Sequence, residues 1–241
     1  MDLAKTQDDT TKLHIKVLQG KGITTGLPAF DERLTRRWRA RQLVSLLVAS
    51  RKPIKRKDLA EKLYDRKATK NDVNSVQVLI CRIRGEMKAI APTLPLCILN
   101  PGGGYQWNMN TVASFDVTTM QRLCAHILQC EHMNNECWSL IEELLSLCRT
   151  LPLEEYAAKK WAQPFRHTIS SLYKKTISHA LTLLWREEDY ERLLIVCQSG
   201  LSVTPEQLLW KQDLEKAKAL ATPLAASPHG QANHDTVIEN T

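Results

Sequence analysis

The feature that most constrains the fold is a segment at 71–88 in which apolar side chains recur at the spacing of an α-helix. Its apolar stripe falls on one face of a helical wheel and consists of Val73, Val76, Ile80, Ile83 and Met87. About ten residues later, the run "LCILNPGGGYQWNM" (96–109) places two short apolar stretches around a glycine-rich break, which is typical of a β-hairpin. The chain therefore has to place a long amphipathic helix beside a hairpin.

The three glycines of this hairpin, Gly102 to Gly104, admit two interpretations, a phosphate-binding loop and a tight turn. A phosphate loop requires Gly-x-x-x-x-Gly-Lys-Ser/Thr leading into a helix. Here the strand-like run Tyr105-Gln106-Trp107 follows, without the lysine or hydroxyl that phosphate and magnesium need. We therefore predict a hairpin turn in which all three glycines adopt positive φ. Because no Ser-His-Asp or paired-carboxylate arrangement stands out, we expect no enzymatic activity, no metal and no cofactor.

The residues before 71 predict one strand and two more helices. Leu13, Ile15 and Val17 alternate with polar neighbours, as in a half-buried strand, and two later stretches carry apolar residues at helical spacing. The predicted bounds are 13–20 for the strand, 36–50 for the first helix, with Thr35 as its N-cap, and 55–65 for the second. A strand, three helices and a hairpin follow one another in this order in the winged helix-turn-helix.

From Phe115 onwards the sequence predicts a succession of helices joined by short segments. The predicted helices cover 115–132, 136–149, 156–184, 189–199 and 204–220, and a break at Pro164 is left open within the third. They form helix-turn-helix units of about 30–35 residues, which is the period of tetratricopeptide-type repeats. The predicted fold class is mainly α with a small β component: a winged helix at 12–110, a helical-repeat domain at 113–220 and a disordered tail at 221–241.

Charge is divided unevenly along the chain. Residues 1–110 contain 21 Lys and Arg against 10 Asp and Glu, whereas residues 111–241 contain 12 against 16. A basic half joined to a mildly acidic half is a common layout for a nucleic-acid-binding protein with a second, protein-binding domain. The alternative is a highly charged surface that binds no partner.

Motifs in both halves resemble one family of bacterial regulators. The stretch "VNSVQVLICRIRGEM" (73–87), followed by "ILNPGGGYQW" (98–107), is similar to the recognition helix and wing of OmpR/PhoB-type output domains. The motifs "FDVTTMQRLC", "LLSLCRTLPLEE", "WAQPFR" and "EEDYERLL" resemble the bacterial transcriptional activator domain. Over about residues 13–215 the chain thus resembles the Streptomyces antibiotic regulatory protein (SARP) family, in which the helical module follows the winged helix.

The resemblance implies a sequence-specific DNA-binding transcriptional regulator whose helix at 71–88 enters the major groove. Arg82 would pair with guanine, Asn74 or Gln77 with adenine, and Val78 would pack against a thymine methyl group. The full set of predicted DNA-binding residues is Lys70, Asn74, Ser75, Gln77, Val78, Cys81, Arg82, Arg84 and Tyr105.

Phosphate contacts are expected from basic residues near this helix, namely Arg84, Lys70, Arg36, Arg37 and the cluster Arg51–Lys57. Two departures from the family bear on recognition. Gln77 and Cys81 stand where several members carry arginine, and the wing tip at 100–103 lacks the arginine or lysine often used in the minor groove. We therefore expect a different base preference and a weak wing contact.

The implied partners are double-stranded DNA, bound by a homodimer, and RNA polymerase or another regulator, contacted by the helical domain, which could also mediate self-association. No receiver domain precedes the predicted winged helix, so we expect no direct control through phosphorylation of such a domain. The competing hypothesis is a helical-repeat adaptor whose winged helix binds protein instead of DNA. The weak wing and the scarcity of arginines on the helix favour it.

The segment "CAHILQCEHMNNEC" (124–137) concentrates cysteine and histidine. His126 and Cys130 lie four residues apart, as metal ligands on a helix can, but the spacing fits no standard zinc motif. Packing of Cys124 and Cys137 as small buried residues is therefore favoured over a metal or redox site. The scattered cysteines, the lack of a signal peptide and the lack of an apolar run of membrane length predict a cytoplasmic protein with no membrane partner.

Overall fold

The computed structural model describes residues 12–20 and 22–221, and this part of the chain is mainly α-helical with a small β component, as predicted. Its helices are α1 (Pro28–Arg36), α2 (Trp38–Ser50), α3 (Arg56–Tyr64), α4 (Lys70–Ile90), α5 (Asp116–Ile127), α6 (Asn135–Leu147), α7 (Gln163–Arg186), α8 (Tyr190–Val203) and α9 (Leu208–Ala221). Its strands are β1 (Leu13–Ile15), β2 (Ile54–Lys55), β3 (Ile98–Leu99), β4 (Gly104–Trp107) and β5 (Val112–Phe115). The tail predicted to be disordered lies outside the described residues, apart from Ala221.

The first part of the described chain combines a three-stranded sheet with the four helices α1 to α4. The sheet has the order β2-β4-β3 and is antiparallel, with Ile54 opposite Tyr105 and Ile98 opposite Trp107. Helices α1 and α3 pack on α4, and α2 packs on β4. The predicted hairpin is confirmed as β3 and β4, whereas β2 is a third strand that the sequence analysis did not predict.

Helix α4 begins at a capping box and is fixed by its apolar stripe. The Thr69 hydroxyl accepts a hydrogen bond from the backbone N–H of Asp72 at 3.2 Å, and the Asp72 carboxylate accepts one from the backbone N–H of Thr69 at 2.9 Å. Two N–H groups that a helix start leaves free are thereby satisfied. The predicted stripe is confirmed, since Val76, Ile80, Ile83 and Met87 are buried and Val73 is half-buried.

The helix predicted over 36–50 is α2, which begins at Trp38, and it is preceded by α1, a helix that the sequence analysis did not predict. Thr35 lies inside α1, where its hydroxyl donates to the backbone carbonyl of Asp31 at 2.9 Å. The prediction that Thr35 is the N-cap of the helix over 36–50 is therefore wrong, because the N-cap of α2 is Arg37. The overlooked signal for α1 is a proline in its first turn followed by two buried apolar residues four positions apart.

The glycine run forms a short 3-10 turn between β3 and β4, which is the predicted hairpin turn. Gly102 and Gly103 have φ of +57° and +79°, as predicted. Gly104 does not, since its φ is −109°. Its small size is required for a different reason, because a Cβ there would lie 3.0 Å from the Cβ of Pro53 beside β2.

Strand β1 pairs in parallel with β5, so that the start of the described chain lies beside the residues that lead into α5. The Asp116 carboxylate, at the first position of α5, accepts hydrogen bonds from the backbone N–H groups of Val17 and Leu18 at 2.7 and 2.8 Å. The predicted division into domains at about 110–113 falls just before β5. The two segments therefore share a small sheet and a buried carboxylate.

The five helices after β5 pack against one another as sequence neighbours and near-neighbours: α5 on α6 and α7, α7 on α8, and α8 on α9. The helix predicted over 156–184 begins instead at Gln163, with a proline in its first turn, where the missing N–H is not needed. Among the described residues, no helix combines the length and the apolar character that crossing a membrane requires.

Gly200 and Gly85 give a matched pair of glycine-to-alanine predictions, since both lie inside helices. A Cβ at Gly200 would lie 3.0 Å from Cζ3 of Trp210, which is only 2% exposed. Gly200→Ala is therefore expected to lower the free energy of unfolding by about 1–3 kcal/mol through overpacking. Gly85 is exposed, and a Cβ added there would have no such neighbour within 4 Å, so Gly85→Ala is expected to raise the free energy of unfolding by about 0.5–1 kcal/mol. Urea unfolding checks both, and equal effects of the two substitutions would contradict the packing of α9 on α8.

Candidate nucleic-acid interface

The outward face of α4 carries most of the predicted DNA-binding residues. Seven of the nine are exposed, namely Lys70, Asn74, Ser75, Gln77, Val78, Cys81 and Arg82. Val78 is 59% exposed in the middle of this face. Several of these side chains line one shallow surface depression along the helix. The predicted residues are thus brought together on a single surface, which we call the α4 face.

The carboxylates of α4 are neutralised by arginines from neighbouring segments. Arg66 contacts Asp72 at 2.8 Å, and Arg37 pairs with Glu86. The pKa of Asp72 is lowered, first by the hydrogen bond from the backbone N–H of Thr69, then by the Thr69 hydroxyl and Arg66. Because these are the acidic residues of α4, the helix presents no unpaired carboxylate to an anionic partner.

Arg84 and Tyr105 are placed differently from the other predicted residues. The Nε and Nη2 atoms of Arg84 donate to the backbone carbonyl of Ile98 at 2.9 and 2.6 Å, which ties α4 to β3. Tyr105 on β4 is only 4% exposed, and the Arg84 guanidinium lies 5.8 Å from its ring centre. These two residues therefore hold the hairpin against α4 and are poorly placed to contact DNA themselves.

A second arginine, Arg56, connects the start of α3 to the α4 face. Its Nη1 atom donates to Oε1 of Gln77 at 2.8 Å, and its guanidinium lies 5.9 Å from the ring centre of Tyr105. Sequence reasoning placed Arg56 in a basic cluster but missed its contact with Gln77. No local pattern could have shown it, because the contact depends on how α3 packs on α4.

The basic residues that we predicted to contact DNA phosphates have different surroundings in the structure. Arg36 forms an exposed ion pair with Glu32 within α1. The guanidinium of Arg51 lies 5.0 Å from the ring centre of Phe115 and donates to the Thr118 hydroxyl at 3.3 Å. By contrast, three lysines near β2 and α3 are exposed and form no ion pair with any described residue: Lys52, Lys55 and Lys57.

The turn that joins β3 to β4 is exposed and contains no cation. It consists of Asn100, a proline and glycines, so it offers little beyond backbone groups to a partner. The weak wing contact therefore stays a prediction, and the basic surface is provided by α4 and the segment around β2.

The cysteine and histidine cluster does not converge on one point. Cys124 and Cys137 are buried, as the packing interpretation predicts, whereas His126 and His132 are exposed. The Cys130 thiol contacts the backbone carbonyl of His126 at 3.6 Å, and not its ring. Burial, with the neighbouring Cys130 thiol as a second cause, raises the pKa of Cys137 to about 12. Within the described ranges, no three histidine, cysteine or acidic side chains come together in a way that could hold a metal ion.

The chain was compared with protein-family models and with curated proteins. No family model matches it, and no curated protein matches it.

Proposed function

We propose that this chain is a sequence-specific transcriptional regulator that binds double-stranded DNA. In this proposal, α1–α4 and the β2-β4-β3 sheet form a winged helix-turn-helix, and α5–α9 form a tetratricopeptide-like helical domain, as in the SARP family. The observation that carries the proposal is the α4 face, where polar side chains surround an exposed Val78. A helix fits the major groove, and such a mixture of donors, acceptors and one methyl-bearing group is suited to base edges.

The proposed contacts divide into base readers and phosphate binders. Arg82 would pair with guanine, Asn74 with adenine, and Val78 would pack against a thymine methyl group. Lys70 and the exposed lysines near β2 and α3 would bind phosphates on either side of the groove. The predicted set is revised at two positions, because Arg84 and Tyr105 are assigned to support the hairpin.

The helical segment would mediate self-association or contact with RNA polymerase or another regulator, which is the role that the family resemblance implies. Two copies bound to neighbouring half-sites would place one α4 in each of two successive major-groove segments. Oligomeric state, the polymerase contact and the cytoplasmic location stay predictions.

The adaptor alternative has one observation in its favour, an exposed aromatic group on α2. Trp38 is 49% exposed, and the Arg39 guanidinium lies 4.0 Å from its ring centre and 4.6 Å from that of Tyr64. Tryptophan and arginine are enriched in protein interfaces. If the chain binds protein instead of DNA, this group is a second surface that a protein partner could contact.

The exposed thiol of Cys81 tests the proposal directly. Of the seven cysteines, Cys81 is exposed, Cys130 is partly exposed and the other five are buried. N-ethylmaleimide should therefore modify Cys81 first, and DNA that occupies the α4 face should slow this reaction in proportion to the fraction of protein bound. Mass spectrometry of the alkylated peptides measures the rate at each cysteine.

Two controls separate groove binding from simple charge attraction. Cys130 serves as an internal reference whose alkylation DNA should leave unchanged. Heparin, a polyanion without a major groove, should protect Cys81 less than DNA does at equal occupancy. If the protein retains DNA while Cys81 reacts at its free rate, then α4 is not the element that enters the groove.

A further inference from the structure

The contact between Arg56 and Gln77 affects which base the α4 face prefers. This inference rests on the proposed function, in which α4 binds DNA. Arg56 lies at the start of α3, and its Nη1 atom is 2.8 Å from Oε1 of Gln77. A guanidinium has donors only, so the amide atom that faces it must be the oxygen. The contact therefore fixes the orientation of the Gln77 amide, which an isolated glutamine would leave undetermined.

Arg56 is itself held in place by the sheet. Tyr105 on β4 is buried, and the guanidinium groups of Arg56 and Arg84 lie 5.9 and 5.8 Å from the centre of its ring. The pairing of Ile54 with Tyr105 brings the start of α3 beside this ring. Cation–π attraction at such distances favours a guanidinium that stays over the ring, so the position of Arg56 is set by the fold.

We infer that Arg56 is a positioning residue that makes Gln77 read guanine in place of adenine. A glutamine pairs with adenine through both amide groups, its oxygen accepting from N6 and its nitrogen donating to N7. Here the oxygen already accepts from Arg56, and its second lone pair lies beside a cationic group that carries only donors. The amino group of adenine is also a donor, so it would be repelled by the Arg56 donors beside this oxygen. The amide nitrogen of Gln77 is left to donate, and the O6 and N7 atoms of guanine are both acceptors.

The experiment is a double-mutant cycle read out as base preference. Arg56→Met keeps an apolar stem over Tyr105 and removes the donor, and Gln77→Ala removes the amide. Wild type, the two single variants and the double variant each select from a pool of binding sites randomised at every position. The ratio of guanine to adenine at the position that depends on Gln77 is then compared, with circular dichroism and thermal unfolding as checks on folding.

We expect Arg56→Met to lower this ratio by about tenfold, the scale of one good bidentate contact. In the Gln77→Ala background the same substitution should leave the ratio unchanged, because Arg56 acts through Gln77. Lys57→Met is the matched control: Lys57 is the exposed cation next in sequence, so its loss should weaken binding to all sites alike and leave the ratio as it is.

Three results would overturn the inference. Arg56→Met could leave the ratio unchanged, or it could change the ratio equally with and without Gln77, which would mean that Arg56 contacts the base itself. In both cases wild type still selects defined sites, so the proposed function stands. If wild type selects no sites at all, the proposed function fails, and the inference fails with it.

Discussion

Replacement of Asp116 by alanine is expected to lower the free energy of unfolding by about 2–4 kcal/mol, because two buried N–H groups lose a charged acceptor. The carboxylate is 6% exposed, and its Oδ2 atom accepts from the backbone N–H groups of Val17 and Leu18 at 2.7 and 2.8 Å. The contact joins residues about a hundred positions apart. Its loss should therefore also loosen the attachment of β1 to β5, which hydrogen exchange at residues 13–18 would detect.

Asp116→Asn is the matched control for this prediction. Both hydrogen bonds end on one oxygen, while Oδ1 is buried with no hydrogen-bond partner among the described residues. An asparagine oxygen can take the position of Oδ2 and accept both bonds, so we expect a much smaller loss of stability than with alanine. Equal losses in the two variants by urea unfolding would show that the two hydrogen bonds are not what stabilises this junction.

Because of the Asp116 carboxyl, we also expect the free energy of unfolding to depend on pH. Burial raises its pKa above the ordinary value of 3.8, against the lowering effect of the bonds from Leu18 and Val17. The folded chain then holds this proton more tightly than the unfolded chain does. The contribution of Asp116 to stability is therefore highest below pH 3.8 and is lost as the pH rises through the folded-state pKa. The difference in unfolding free energy between wild type and Asp116→Asn should fall with rising pH across that window and then become constant.

Arg82→Ala is expected to remove base discrimination while leaving the fold intact. Arg82 is exposed and forms no ion pair with any described residue, so the stability should change by no more than about 0.5 kcal/mol. Loss of a bidentate contact with guanine should cost about 1–3 kcal/mol of discrimination at one base pair, which is roughly 5- to 150-fold.

A matched variant separates this effect from the general loss of one positive charge. Arg122 is an exposed arginine on α5 and not part of the α4 face, so Arg122→Ala changes the net charge equally while every residue of that face is kept. Competition between the preferred site and sites altered at single base pairs measures the discrimination of both variants. If Arg82→Ala lowers the affinity for all sites equally, Arg82 contacts a phosphate and not a base.

The sequence was most informative where structure depends on local periodicity. The buried stripe of α4 follows from apolar residues three and four positions apart, and the turn at Gly102 and Gly103 follows from the absence of a side chain. Both patterns are complete within about twenty residues. The exposed residues of the α4 face could be predicted from the same helical wheel, because residues on the side of a helix opposite its buried stripe face the solvent.

What the sequence could not provide depends on contacts between distant segments. The partner of β1 is a strand about a hundred residues later, and no pattern in either strand specifies the other. The helical wheel places Arg84 at the edge of the outward face of α4, but it does not show that Arg84 donates to the carbonyl of Ile98. That carbonyl belongs to a later segment that folds back beside α4. Helix α1 was missed because its buried apolar residues, Phe30 and Leu34, show only one repeat of the helical spacing among polar neighbours.

The measurement that tests the central claim most directly is selection of random genomic DNA fragments by the wild-type protein at about 50 and 200 mM salt. We predict that defined sites are enriched and that affinity falls on the order of a hundredfold between the two salt concentrations, as expected for roughly four phosphate contacts. If no fragments are retained even at the lower salt concentration, the α4 face does not bind DNA. The adaptor function, with a protein as the partner of α4, would then replace the proposal.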